Sequence, residues 1–111
     1  MHKPLLLVAF LGLAACTQQS QEEYATVAGS RLAISAEMTP GVIDAKFVLR
    51  INGAPVINDR TEPFGGTSQN FSGSYDGRPV SARVTAVSKM FSAYTMVDVF
   101  IDGQLVETLT I

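Results

Sequence analysis

Beyond residue 30 the chain alternates. Leu32, Ile34, Ala36 and Met38 are interleaved with Arg31, Ala33, Ser35 and Glu37, and the run stops at Thr39-Pro40-Gly41. Ala45, Phe47, Leu49 and Ile51 alternate with Lys46, Val48 and Arg50 and stop at Asn52-Gly53. A period of two bounded by turn residues marks a half-buried strand. No segment keeps a helical period for three turns. The pattern predicts about seven strands, at 31–38, 44–51, 54–59, 68–75, 78–87, 94–101 and 104–111.

Three dipeptides predict how the strands pair. Asn52-Gly53, Asp76-Gly77 and Asp102-Gly103 suit the type I′ hairpin turn, whose two central residues both need positive φ. With two-residue loops, Leu49 faces Val56 and Lys46 faces Asp59 in the first hairpin. In the second, Phe71 faces Ala82 and Gly73 faces Val80; in the third, Phe100 faces Leu105, Val99 faces Val106 and Met96 faces Leu109. Antiparallel hairpins with turn signals every 8–12 residues or so predict an all-β fold, a small immunoglobulin-like β-sandwich. A small β-barrel is the alternative, with Gly73 as a possible bend. Pro55 and Pro79 cannot donate to a ladder and so belong at strand starts or sheet edges.

The N-terminus has a different character. Lys3 precedes an apolar run from Leu5 to Leu13 and then small residues, the layout of a secretory signal peptide. The run falls short of the ~20 apolar residues that a membrane-spanning helix needs. Its end, Leu13-Ala14-Ala15-Cys16, resembles the bacterial lipobox, Leu-(Ala/Ser)-(Gly/Ala)-Cys. The resemblance covers residues 1–16 and implies cleavage before Cys16, with a diacylglycerol thioether on its sulfur. It also implies a destination: an Asp after that Cys commonly retains enterobacterial lipoproteins at the inner membrane. Thr17 stands here instead, which points to the outer membrane. The expected organisation is a signal peptide at 1–15, a lipidated Cys16 with a flexible tether through residue 29, and a β-domain at 30–111.

Composition then narrows the chemistry. Cleavage after residue 15 leaves 96 residues without His or Trp, and with a net charge of −3 from seven Lys and Arg against ten Asp and Glu. Histidine is the usual general base near neutral pH and the commonest metal ligand. Without His or a free Cys, no Ser-His-Asp triad, Cys-His dyad or tetrahedral zinc site can form. Gly65-Gly66 has no Lys-Ser/Thr after it, so it is no phosphate loop. The acidic balance argues against nucleic acid. Neither a metal nor a cofactor is expected, nor is enzyme activity.

Three groups of residues remain as candidate sites. Asp98 and Glu107 would face each other on the third hairpin, where two carboxylates form either a cation or acid/base pair or a solvated face with Arg83 or Lys89 as countercharge. Arg60, Glu62 and Phe64 share the longest irregular stretch, where Phe64 either closes one end of the sandwich or anchors a partner, since loops on rigid β scaffolds often carry binding. Met90 and Phe91 occupy a turn, where they either tuck under the domain or contact a protein or membrane. The expected function is a non-catalytic, lipid-anchored binding or accessory module at the periplasmic face of the outer membrane, with an envelope protein as partner. An inhibitor or a phage- or plasmid-exclusion lipoprotein has a similar plan. A carboxylate-based envelope glycan hydrolase using Asp98 and Glu107 is the catalytic alternative.

Overall fold

The computed structural model describes residues 17–62 and 66–111. Among these, nine strands form: β1 (Gln18–Gln19), β2 (Glu23–Val27), β3 (Ser30–Pro40), β4 (Ala45–Ile51), β5 (Ala54–Arg60), β6 (Ser68–Tyr75), β7 (Arg78–Lys89), β8 (Ser92–Ile101) and β9 (Gln104–Thr110). One sheet runs β1-β3-β4-β5, with β2 also on β3; the other runs β6-β7-β8-β9. Every pairing is antiparallel.

The two sheets pack face to face as a sandwich, and the period-two residues meet between them. Leu32, Ile34, Ala36 and Met38 of β3 and Phe47, Leu49 and Ile51 of β4 are buried against Val80, Ala82 and Val84 of β7 and Val97, Val99 and Ile101 of β8. Phe47 and Phe71 join the layers, their rings 5.1 Å apart and tilted by 30°. From β2 onward the connectivity is a meander in each sheet, since consecutive strands of a sheet are neighbours, and β1 lies in line with β2 along β3. An immunoglobulin domain instead exchanges strands between its sheets by Greek-key crossovers. The barrel alternative fails as well: β5 lies against β6, and β2 against β9, without a ladder to close the ring.

The expected tether is largely strand. Glu23–Val27 pairs with Ser30–Ile34 through a turn at Ala28-Gly29, and Gln18 and Gln19 pair with Met38 and Glu37. Between these two pieces the Ser20 side chain accepts from the Ala36 amide, while the Ser20 amide donates to the Ala36 carbonyl, each at 2.9 Å. Residues 18–27 therefore cover the edge of β3, whose backbone groups need partners. Ala28-Gly29 carries no turn signal in the sequence because alanine is a poor resident of positive φ, yet Ala28 sits at φ 51° and Gly29 at 82°.

Asn52-Gly53, Asp76-Gly77 and Asp102-Gly103 all have positive φ at both residues, as the type I′ turn requires. The second hairpin keeps the expected register, Phe71 on Ala82 and Gly73 on Val80. The first and third do not. Leu49 faces Ile57 rather than Val56, and Lys46 faces Arg60 rather than Asp59. Phe100 faces Leu105 as expected, but Val99 faces Glu107, Val97 faces Leu109 and Met96 faces Thr110. Each ladder holds a bulge with one extra residue, Val56 in β5 and Val106 in β9, both three positions after the turn glycine. The bulges turn Ile57 and Leu109 into the core, 3% and 1% exposed. A one-residue shift exchanges the faces of a strand, so burying the larger side chain selects the bulged register.

Candidate functional site

Hairpin geometry divides the sandwich into two unlike ends. The four two-residue turns with positive φ at both positions, at Ala28-Gly29, Asn52-Gly53, Asp76-Gly77 and Asp102-Gly103, all lie at one end. Polar contacts tie it down: the Asn52 amide nitrogen donates to the Tyr75 hydroxyl at 2.8 Å, the Asn52 oxygen accepts from the Ala33 amide, and Arg78 pairs with Asp102. The opposite end carries the β3–β4 loop, the β5–β6 connection, the β7–β8 turn and Thr17, whose hydroxyl bonds to that of Thr39 at 2.8 Å. The candidate site is this second end.

Its loops are braced from within. In the β3–β4 loop the Gly41 amide donates to the Asp44 carbonyl at 2.6 Å. The Asp44 carboxylate accepts from Arg60 Nε and an Arg60 terminal nitrogen, each at 3.0 Å, the two-point geometry that suits guanidinium and carboxylate. The Arg60 hydrogen bond holds the Asp44 carboxyl below its ordinary range. A Cβ at Gly41 would meet the Asp44 carbonyl at 2.9 Å and its Oδ1 at 3.0 Å, so only glycine allows the loop to close this tightly. Thr61 ties the β5–β6 connection to β4 through Ala45, and Gln69 holds the Glu62 backbone by two hydrogen bonds. A cleft of about 310 Å³ opens between the sheets here, lined by Met38, Ile43 and Ala45 on one side and Val84, Ala86 and Thr95 on the other.

At the tips of this end the exposed side chains are apolar. Val42 is 99% and Ile43 70% exposed, and across the sandwich Met90 is 86% and Phe91 94% exposed. Met90 and Phe91 thus stand out in solvent and do not tuck beneath the domain. The strands had offered no signal for Val42 and Ile43; only the loop's closure on Asp44 turns them outward. Compared with known protein families, curated proteins and solved structures, the chain matches none.

The other candidates are placed differently. Arg60 is engaged with Asp44, and Glu62 lines the cleft. Cys16 and Phe64 lie outside the described residues. Asp98 and Glu107 are not partners: the Val106 bulge puts Thr108 opposite Asp98 and Glu107 opposite Val99. The Thr108 hydroxyl donates to Asp98 Oδ1 at 2.8 Å, and an Arg83 nitrogen lies 3.9 Å from its Oδ2. The facing carboxylate pair is therefore replaced by an acid flanked by a hydroxyl and a guanidinium. No group of three His, Cys, Asp or Glu among the described residues is placed to hold a metal ion.

Proposed function

We propose that this protein is a lipid-anchored, non-catalytic binding or accessory module, held by acyl chains on Cys16 at the periplasmic face of the outer membrane and acting through contact with an envelope protein. The observation that carries the reading is the register of Leu13-Ala14-Ala15-Cys16 with the basic start and apolar run before it. Thr17 after the Cys favours the outer membrane over the inner. The exposed apolar tips at the end where Thr17 sits support a contact role over catalysis, because large apolar side chains kept in water usually mark a surface that meets a protein or a membrane. The hydrolase alternative loses its acid pair to the bulge at Val106.

Mass spectrometry of the protein extracted from separated inner and outer membranes tests this reading. It should find an N-terminal peptide beginning at acylated Cys16, enriched in the outer-membrane fraction. An intact precursor with an unmodified Cys16 would sink the reading, and an acylated peptide confined to the inner membrane would sink its location.

A further inference from the structure

We infer that the loop end of the sandwich is a membrane-contact surface, with Val42-Ile43 and Met90-Phe91 seated in the headgroup layer of the bilayer that holds the acyl chains of Cys16. The inference rests on the lipid-anchor reading and goes beyond it. An anchor followed by a free tether would leave the domain with no fixed orientation. Here Gln18, two residues after Cys16, is already paired with Met38. Two residues span at most about 7 Å of extended chain. The chain therefore leaves the fold towards Cys16 from the end that carries Thr39 and the β3–β4 loop, with at most about 7 Å of backbone between Gln18 and Cys16.

The chemistry of that end suits lipid. Its four projecting side chains are apolar and come in pairs, one from each sheet. The β3–β4 pair is held out by the Asp44–Arg60 bond, so its exposure is built in. The far end has Asn52, Asp76 and Asp102 at its turn tips, with Leu105 partly exposed just behind them. Charges around the tips balance, Lys46, Arg60 and Lys89 against Asp44, Asp59 and Glu62, so the contact is apolar insertion and not attraction to anionic lipid. A single acyl chain binds membranes only marginally, and a second membrane-seeking element makes anchoring stable. The tips add such an element and set the polar-turn end facing away from the lipid.

The absence of tryptophan makes the test direct. Phe91→Trp and Ile43→Trp place a single reporter on each tip, and Leu105→Trp places one beside the polar turns. Leu105 is 57% exposed. Each full-length variant, purified from membranes in its acylated form, is reconstituted into phosphatidylethanolamine–phosphatidylglycerol vesicles with and without brominated acyl chains, and flotation is scored alongside fluorescence. The expected result is a blue shift and several-fold stronger bromine quenching for the tip reporters than for the Leu105 reporter, unchanged by raised salt. Flotation with equal quenching at all three positions would overturn the orientation while leaving the anchor intact. Flotation with tip reporters that shift only when an envelope protein is added would overturn it in favour of a protein contact. Failure to float would remove the anchor, and this proposal with it.

Discussion

Gly73 shows how one missing side chain can hold two sheets together. A Cβ there would lie 2.0 Å from the Val56 carbonyl oxygen and 3.0 Å from Ile57 Cγ1. The obstacle is backbone, which cannot rotate aside. Gly73→Ala should destabilise the domain by about 3 kcal/mol, the upper range for overpacking, and lower Tm by more than about 10 °C; thermal unfolding followed by circular dichroism checks it. Ala28 is the opposite case, a side chain where the backbone would prefer none. A left-handed conformation costs an ordinary residue about 1–2 kcal/mol, and asparagine tolerates it better. Ala28→Asn should therefore raise stability by about 0.5–1 kcal/mol in the same measurement. No gain would mean that Ala28 has a compensating role in the turn.

At the scale of elements, the two bulges are matched devices. Val56 and Val106 follow their turn glycines at the same spacing and turn a large aliphatic side chain inward just beyond. Deleting Val106 removes only the extra residue, so Thr108 stays opposite Asp98 and Leu109 opposite Val97. The expected cost is about 1–3 kcal/mol, for the lost contacts of one partly buried valine. Loss of cooperative unfolding on this deletion, the sign of a strand thrown out of phase, would disprove the bulged register. The β3–β4 loop makes a separate prediction. Since Arg60 lowers the Asp44 pKa, the pair's contribution is complete above the ordinary aspartate value near 4. It is lost as pH falls through the lowered value. Nuclear magnetic resonance should find the Gly41 amide shift constant from neutral pH to about 4 and changing only below it, whereas Asp44→Asn should give the open-loop shift at every pH.

For the whole molecule, the strands at 18–27 make the segment before Ser30 part of the fold. A chain beginning at Ser30 would leave one edge of β3 bare and uncover Leu32 and Ile34, which are 6% and 0% exposed in the intact domain. Bare edges invite pairing with another copy. Such a chain should unfold at lower temperature than one beginning at Thr17 and should elute as dimers or larger species in size-exclusion chromatography. Equal stability and a monomeric elution would show that residues 17–29 are dispensable after all.

The period of two and the turn dipeptides are local signals, and the all-β class, seven of the nine strands and the second hairpin's register were legible in them. Leu32 through Met38 and Phe47 through Ile51 face the core as their alternation implies. Other features depended on competition between distant groups. Both faces of β8 are apolar, Val97, Val99 and Ile101 on one and Tyr94, Met96 and Phe100 on the other. Only packing against the second sheet decides which turns inward, and with it the fate of Asp98 and Glu107. Of the two strands before Ser30, β1 is two polar residues and β2 only five residues, so their order comes from pairing with β3 and no long pattern of their own announces them. The exposed tips follow the same logic: Val42 and Ile43 read as two more apolar residues until the Gly41–Asp44 closure and the Arg60 fork hold them in solvent. Tertiary structure alone then gathers them with Met90 and Phe91 at the end where Thr17 begins, because chain direction through consecutive hairpins puts the open loops and the first strand on one side.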